Sequence, residues 1–436
     1  MQDNRMRIAY VHDSPLHESL VTDYRDPNHL ASLGFTDVVI SDQMSGCLYG
    51  VTPELKQRIE STIDSGLGVW LMDDLFTLPI DSNAGCPGRE ESWEITAEAI
   101  RDVIESFPQI RGLVFRYGET FESTNSDVKR IDLLRCECID CSSMDGISRR
   151  RKVIEILESV VCREMGKRCI LRLWDLSEEG VHANRLLQSK VLKKWAGDPR
   201  FFVSVKHTIT DYWRHQPWNP SILEEGPARL IEFQCEREYE FIGMVPNWLG
   251  SEWSQGPIEC GERGLTGIAN IRPNDWAGSW IIPIGGGWSN RHASSELWAD
   301  MNLHTILALT DNPERDAEEI LSEWISKNNL PEESINLLKK SSELILRLRY
   351  LDVWRVIANQ RWMPSENWFR DDNFVPGACT KIANRVVQEG MSDLLRSERS
   401  LATAMARSHL LEAENLPTCE HSEFILSSYR WALKFA

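Results

Sequence analysis

Positive charge is scarce in this 436-residue chain: 48 lysines and arginines stand against 66 aspartates and glutamates, a formal net charge of −18. A deficit of that size argues against general binding to nucleic-acid phosphates, which needs clustered Lys and Arg, and against adhesion to an anionic membrane. It leaves a small acidic substrate open, because a few local cations outweigh a distant field once salt screens it. Long apolar runs are also missing. No stretch approaches the ~20 residues of a membrane-spanning helix, and the opening MQDNRMRIAYVHDS has no apolar segment of signal-peptide length. There is no G-x-G-x-x-G after the first strand-like run, no P-loop and no helical H-E-x-x-H. The usual dinucleotide, nucleotide and metalloprotease readings therefore fall away, and no cofactor is assigned. The eleven cysteines are odd in number and scattered, which fits a reducing cytoplasm better than a disulfide scaffold.

What is present is a regular alternation. Strand-length apolar runs occur at 7–13, 37–43, 68–74, 112–119, 169–175, 201–207, 230–238 and 264–271. Helix-period segments fall between them, and a further one, SSELWADMNLHTILALT, follows the eighth run. Eight such repeats predict a (β/α)8 TIM barrel over residues 1–311, with a doubly wound open sheet as the competing α/β arrangement. From residue 312 the strands stop. ERDAEEILSEWISKNN and the long amphipathic segments after it predict a C-terminal all-α helical domain, 312–436. Its helices would pack on the barrel, on a second copy as a homodimer, or both.

In a (β/α)8 barrel the chemistry gathers at the C-terminal ends of the strands. Those ends carry His12, Asp13, Asp42, Asp73, Asp74, Arg116, Glu119, Arg172, Asp175, Lys206, His207, Asp211, Glu238, Asn270 and Asn274. Loops are polar in any protein, so part of this is expected. Cations inside apolar runs, as in LVFRYGE, ILRLW and VSVKH, are less ordinary, because a buried charge demands an anion. Either wall carboxylates or a substrate carboxylate would meet Arg116, Arg172 and Lys206. Glu232, inside IEFQCEREYE, poses the same demand with the sign reversed. Eight of the seventeen tryptophans lie between Trp213 and Trp298. They either fill a core or offer flat apolar faces to sugars, with Trp213, Trp248, Trp276, Trp280 and Trp288 as the pocket candidates. Convergent carboxylates, inward cations and tryptophans suit glycoside hydrolysis, in which one carboxylic acid protonates the leaving oxygen. In the inverting form a second carboxylate, ~6.5–9.5 Å away, activates water.

Several segments, taken in order, resemble glycoside hydrolase family 67, the α-glucuronidases. LIEFQCEREYE is similar to that family's L-E-F-Q-x-x-Q-E-Y, and the resemblance puts one water-activating carboxylate at Glu238. VKHTITDYW is similar to I-K-N-G-P-x-D-F-Q, implying Asp211 as its partner and Lys206 as a sugar contact. RGLVFRYGET resembles the segment bearing the general acid, implying Glu119, with Arg116 in place of its lysine. ILRLWDL resembles the strand whose arginine binds the uronic acid, implying Arg172. GLTGIANIRPNDWAGSW and NPERDAEEILSEWI extend the likeness, which covers roughly residues 100–330. The family's further N-terminal domain has no counterpart here, and Tyr117, Gly118, His207, Thr208 and Ile209 depart from its motifs. The resemblance thus implies a distant relative: an inverting, exo-acting hydrolase on a glycan carrying a uronic acid, or on another sugar. A retaining hydrolase, a lyase on acidic glycans and a carbohydrate-binding barrel without turnover stand as alternatives.

Two other features are weighed. Cys136, Cys138 and Cys141 form C-x-C-x-x-C in the loop after the fourth strand. Three thiols take zinc only with a fourth ligand, and no second C-x-x-C or partner histidine stands out, so buried thiols or a loop staple are expected and no metal is assigned. His12, His207, His215 and His292 match no ligand spacing, and sugar contact or surface placement is expected of them. GGGWSN (285–290) reads as a pocket-rim loop.

Overall fold

The computed structural model of the chain describes residues 5–10, 24–41, 52–74, 77–79, 88–116, 128–130, 136–174, 180–209, 212, 218–236, 245–257, 267–272, 276–284, 295–350, 352–357 and 378–436. Eight parallel strands close into a barrel: β1 Met6–Tyr10, β2 Asp37–Ile40, β3 Gly68–Asp74, β4 Gly112–Arg116, β5 Arg168–Arg172, β6 Phe201–Lys206, β7 Arg229–Gln234 and β8 Trp276–Ile282. Each strand pairs with its neighbours in chain order, and β8 returns to β1 with Met6 opposite Gly278 and Ile8 opposite Trp280. A parallel strand covered on both faces reads as a continuous buried run, and β2, β3, β4, β6 and β7 are buried at every residue. Successive side chains still alternate. Ile8, Tyr10, Val39, Trp70, Met72, Val114, Ile170, Leu230, Trp280 and Ile282 fill the interior. Ala9, Val38, Ile40, Leu71, Leu113, Leu171, Val203 and Phe233 face the surrounding helices.

Local chemistry starts those helices. Asp26 and Pro27 open α1 (Pro27–Leu33), and Thr52 and Pro53 open α2 (Pro53–Asp64), each cap oxygen accepting from an amide of the first turn. Asp145 caps α4 (Gly146–Leu157) and Asn184 caps α5 (Arg185–Leu192) in the same way, while α3 (Glu90–Ser106) puts Trp93, Ala97, Ile100, Val103 and Ile104 against the barrel. A short antiparallel pair, Thr77–Pro79 with Val128–Arg130, links the connections that follow β3 and β4.

The eighth strand differs from expectation. Of the expected run 264–271 the described residues 267–271 form no strand: Ile268–Asn270 is a 3-10 turn and Asn270 is exposed. Gly267 explains the change of direction. Its φ is +74°, and a Cβ there would stand 2.0 Å from the carbonyl oxygen of Ser254, so the chain turns tightly against α6 (Gly250–Gln255). The strand is WAGSWII, in which Gly278 (φ +143°) lets β8 close on β1; a Cβ at 278 would lie 2.0 Å from the Met6 carbonyl oxygen.

After α7 (Ser295–Asp311) the described chain is helical: α8 Ala317–Lys327, α9 Ser334–Lys339, α10 Ser341–Arg349, α11 Asp352–Ile357, α12 Ala378–Gln388, α13 Ser392–Glu414 and α14 Ser422–Phe435. Their core is a second cluster that shares α7 with the barrel layer. Leu321, Trp324, Leu344, Ile345, Ala406 and Tyr429 pack with Trp298 and Met301 of α7 and with Val245 and Trp248 from the connection after β7. The Trp298 indole donates to the Ser428 hydroxyl at 2.8 Å. Among the described residues no helix is long and apolar enough to cross a membrane.

Candidate functional site

The C-terminal mouth of the barrel collects buried charge. Arg116 ends β4, Arg172 ends β5 and Lys206 ends β6, each 4–5% exposed. They stand two or four residues beyond the inward Val114, Ile170 and Phe202, and that shared parity points all three into the barrel. Each arginine meets a wall carboxylate. Arg116 makes a two-point ion pair with Asp74, the last residue of β3, with Nη2 2.8 Å from Oδ2. Arg172 spans to β7 and donates from Nε and Nη2 to the two carboxylate oxygens of Glu232, both at 2.9 Å. The guanidinium of Arg172 also lies near the ring faces of Trp280 (5.6 Å) and Tyr10 (6.0 Å).

Glu232, the glutamate set inside a strand, thus has its cation. It also accepts from the Ser204 hydroxyl of β6 and from the Tyr212 hydroxyl at 3.0 Å. Burial pushes its carboxyl up. The Arg172 charge and hydrogen bonds, the Lys206 charge and the Ser204 hydroxyl outweigh that and hold it down at about 2. Lys206 carries its ammonium over the Trp174 ring, 3.4 Å from the centroid, and over Tyr212 at 4.7 Å.

Tyr212 is buried with φ +60°, a left-handed backbone that a bulky residue rarely adopts and that costs roughly 1–3 kcal/mol. It is held from both ends: its amide donates to the Thr208 hydroxyl at 3.0 Å and its phenol donates to Glu232. Behind the wall, the His207 ring stacks on Phe233 at 5.1 Å, donates from Nδ1 to the Glu232 carbonyl at 3.0 Å and faces Glu252 at 3.7 Å. This places His207 in the layer between barrel and helices, so the expected sugar contact or surface position is corrected: odd-numbered residues of this strand point outward. Asn219 ties the turn after β6 by donating to the carbonyls of His182 (2.8 Å) and Lys206 (3.4 Å).

The structure therefore brings Arg116, Arg172 and Lys206 to one mouth. Glu119, Asp211, Glu238 and Trp213 lie outside the described residues, as do His12, His215, His292, Asp42, Asp175, Asn274, Trp288 and the GGGWSN loop. In sequence, Glu119 follows the end of β4 by three residues, Asp211 directly precedes Tyr212, and Glu238 follows the buried Glu236 by two. The flanks of the segment holding Glu238 are gathered by one side chain: Asn302 of α7 donates to the carbonyls of Cys235 (2.9 Å) and Asn247 (2.8 Å) and accepts from the Leu249 amide (2.8 Å). Ser341 of α10 accepts from the Trp248 amide at 2.8 Å, so the helical region braces the same connection.

Among the tryptophans, Trp280 lines the interior, but Trp276 is not with it. Trp276 begins β8 opposite Arg229, at the N-terminal end of the barrel, packs in the outer layer and is covered by the Arg5 guanidinium at 4.7 Å. Trp248 lies in the helical core with its indole on the Thr305 hydroxyl. Trp276 and Trp280 share parity, so alternation alone does not separate them; the register shift between Trp276 and Gly278 turns Trp276 to the outer layer. Tyr10, Trp174, Ser204 and Tyr212 line the candidate site and were not singled out in the sequence reading, which named Asp74 only as a strand end; for Tyr10, the inward parity of RIAY was the available signal.

No family model matches the chain, and no curated protein matches it in sequence. Among solved structures it is similar to CpGH84D (11% identity, TM-score 0.43, covering 99% of this chain and 66% of that one). It is also similar to a D-psicose 3-epimerase (10%, 0.37, 70% and 98%) and to a glycoside hydrolase family 5 enzyme from Prevotella bryantii B14 (12%, 0.29, 49% and 66%). The chain spans just under two thirds of the length of the first and third of these. At such overlaps the functional reading rests on the site.

Proposed function

We propose that the chain is a carbohydrate-active barrel of the glycoside hydrolase type, inverting and exo-acting, which releases an α-linked uronic acid from an acidic glycan or oligosaccharide. The observation that carries this is the mouth itself. Three consecutive strands end in buried cations, walled by Tyr10, Trp174, Tyr212 and Trp280, a combination suited to an anionic, ring-faced ligand. The likeness of five ordered segments to the α-glucuronidases supplies the linkage and the sugar.

The wall chemistry narrows the roles. A general acid must hold a proton near its working pH. Glu232 is held at about 2 and is engaged by Arg172, Ser204 and Tyr212, so it is a structural anion and not the acid. The resemblance gives the acid's role to Glu119, on the connection after β4, and in this reading it protonates the glycosidic oxygen. Asp211 and Glu238, on the connections after β6 and β7, orient and deprotonate water on the opposite face. Lys206 contributes positive charge toward the sugar carboxylate, and Arg116 and Arg172 keep the walls in register through Asp74 and Glu232.

The test is a panel of uronic-acid oligosaccharides incubated with the full chain, with the first-formed anomer followed by proton NMR. The β-anomer is expected from an α-linked substrate. Glu119→Gln and Glu238→Gln should each lower turnover by roughly a hundredfold to ten-thousandfold. First appearance of the α-anomer, an unsaturated ultraviolet-absorbing product, binding without turnover, or full activity in either variant would each overturn the reading.

A further inference from the structure

Cys136, Cys138 and Cys141 enclose the entrance to α4. Their three sulfur atoms all lie within 4.8 Å of one another, with Cys141 buried and the other two half-buried. The backbone sets this up. Cys138 caps the short helix Ile139–Ser142, and its sulfur accepts from the Cys141 amide at 3.3 Å, which turns both sulfurs to one side. Arg149 of α4 draws Cys136 in by donating to its carbonyl at 3.0 Å, and a second donation to the Met144 carbonyl at 3.2 Å fixes the same arginine.

The cluster is also pressed against a second connection. A Cβ added to Gly88, at the start of the turn into α3, would stand 3.0 Å from the Cys141 sulfur. Lys152 donates to the Gly88 carbonyl at 3.0 Å, and Arg89 pairs with Asp140 at 3.2 Å. Three other described thiols are buried in the core. Burial pushes Cys162 up to about 12 and Cys169 and Cys235 well above the ordinary thiol range, and all three sit in the apolar layer outside the barrel. They are packing groups, whereas the trio is not part of that core.

We propose that Cys136, Cys138 and Cys141 bind one zinc ion as thiolates, with a fourth donor from outside the motif completing a tetrahedron. Zinc–sulfur bonds of about 2.3 Å place the sulfurs of a tetrahedral site about 3.8 Å apart, so the observed cluster needs to contract by no more than about 1 Å. A disulfide accounts for the arrangement less well, since a bond of about 2.05 Å joins two sulfurs and leaves the third over. Binding displaces one proton from each thiol as its Zn–S bond forms, and no electrons are exchanged. The ion fixes the loop at the entrance to α4, and Cys141 of that loop packs against Gly88 in the turn into α3. The connection it anchors begins at Arg116 and is the one that carries Glu119 in its sequence.

Elemental analysis tests this on the full chain, expressed with added zinc and purified under reducing conditions without chelator. About one equivalent of zinc per chain is expected, falling below about a tenth in Cys138→Ser and unchanged in Cys419→Ser. To separate metal loss from misfolding of Cys138→Ser, the unaltered chain is also depleted and loaded with Co2+. An intense thiolate-to-cobalt charge-transfer absorption is expected, displaced by Zn2+. Unaltered chain with less than about a tenth of an equivalent of zinc and no such band overturns the proposal, as does zinc that persists undiminished in a folded Cys138→Ser variant. A disulfide within the trio in the metal-free chain, found by mass spectrometry alongside absent cobalt binding, overturns it in favour of a redox staple.

Discussion

Arg172→Met is the sharpest perturbation of the barrel mouth. It removes the guanidinium that spans from β5 to β7 and leaves Glu232 in a site where the side chains of the pair are 6% and 1% exposed. Stripping one partner from a buried pair costs roughly 3–5 kcal/mol, because the remaining charge has lost its solvent and its counterion together. Linkage gives a similar figure. A carboxyl held at about 2 against an ordinary 4.5 contributes roughly 3 kcal/mol at neutral pH. Since the folded value is depressed, that contribution is complete above about pH 4.5 and is lost as the pH falls toward 2. In the variant the sign reverses: burial dominates, the folded Glu232 takes up a proton, and the penalty shrinks as the pH falls through 4.5. Urea unfolding followed by circular dichroism should therefore show a loss of about 3 kcal/mol at pH 7, a smaller loss near pH 4, and partial recovery in Arg172→Met/Glu232→Leu. A pH 7 loss below about 1 kcal/mol, or one equally large near pH 4, would refute the claim that the pair is a buried structural clasp.

Two further substitutions probe the scaffold. Gly278→Ala forces a Cβ to 2.0 Å from the Met6 carbonyl oxygen at φ +143°, so the β1–β8 seam must open; a loss of about 3 kcal/mol or insoluble expression is expected, and a wild-type melting temperature would contradict the closure described. Trp298→Phe removes the 2.8 Å indole bond to Ser428 between α7 and α14, while Ser428 keeps its bond to the Phe424 carbonyl. A loss of about 1–2 kcal/mol is expected in thermal unfolding, and no change would mean that the helical region is not braced there.

The barrel was legible because its signal is periodic and local. Apolar runs such as GVWLMDD and FFVSVK separated by amphipathic segments name their own elements, and eight of them in series leave few topologies. The eighth strand was misplaced where that signal fails. GLTGIANI has apolar alternation but turns at Gly267, whereas WAGSWII carries a glycine at the closing seam and a register shift against β7. The demand for counterions was likewise readable from Arg116, Arg172, Lys206 and Glu232, since a buried charge advertises its need. Their partners were not. Asp74 and Glu232 are set by register between strands far apart in sequence, and nothing near Arg172 points to a glutamate sixty residues on. The cysteine trio is a further case: the spacing was visible, but the approach of three sulfurs depends on Arg149 and Gly88, which belong to other elements.

Pairing within the wall bears on how the site divides its labour. Arg172 spends Nε and Nη2 on Glu232, so its two-point geometry, the feature that makes arginine a strong carboxylate receptor, is turned inward to the protein. The same holds for Arg116 on Asp74. Lys206 differs in kind. It is a point charge laid on the faces of Trp174 and Tyr212, with Glu232 close enough to feel its charge. Tyr212 links these groups, touching the lysine with its ring and the glutamate with its hydroxyl from a strained backbone next to Asp211. A wall that settles its own charges can hold a fixed field around groups carried on the connections. Preorganisation of that kind costs nothing at the moment of reaction, because the dipoles and charges are already in place. On the proposed reading the buried arginines belong to the frame of the site, and the proposed groups Glu119, Glu238 and Asp211 stand three, four and five residues beyond their strand ends.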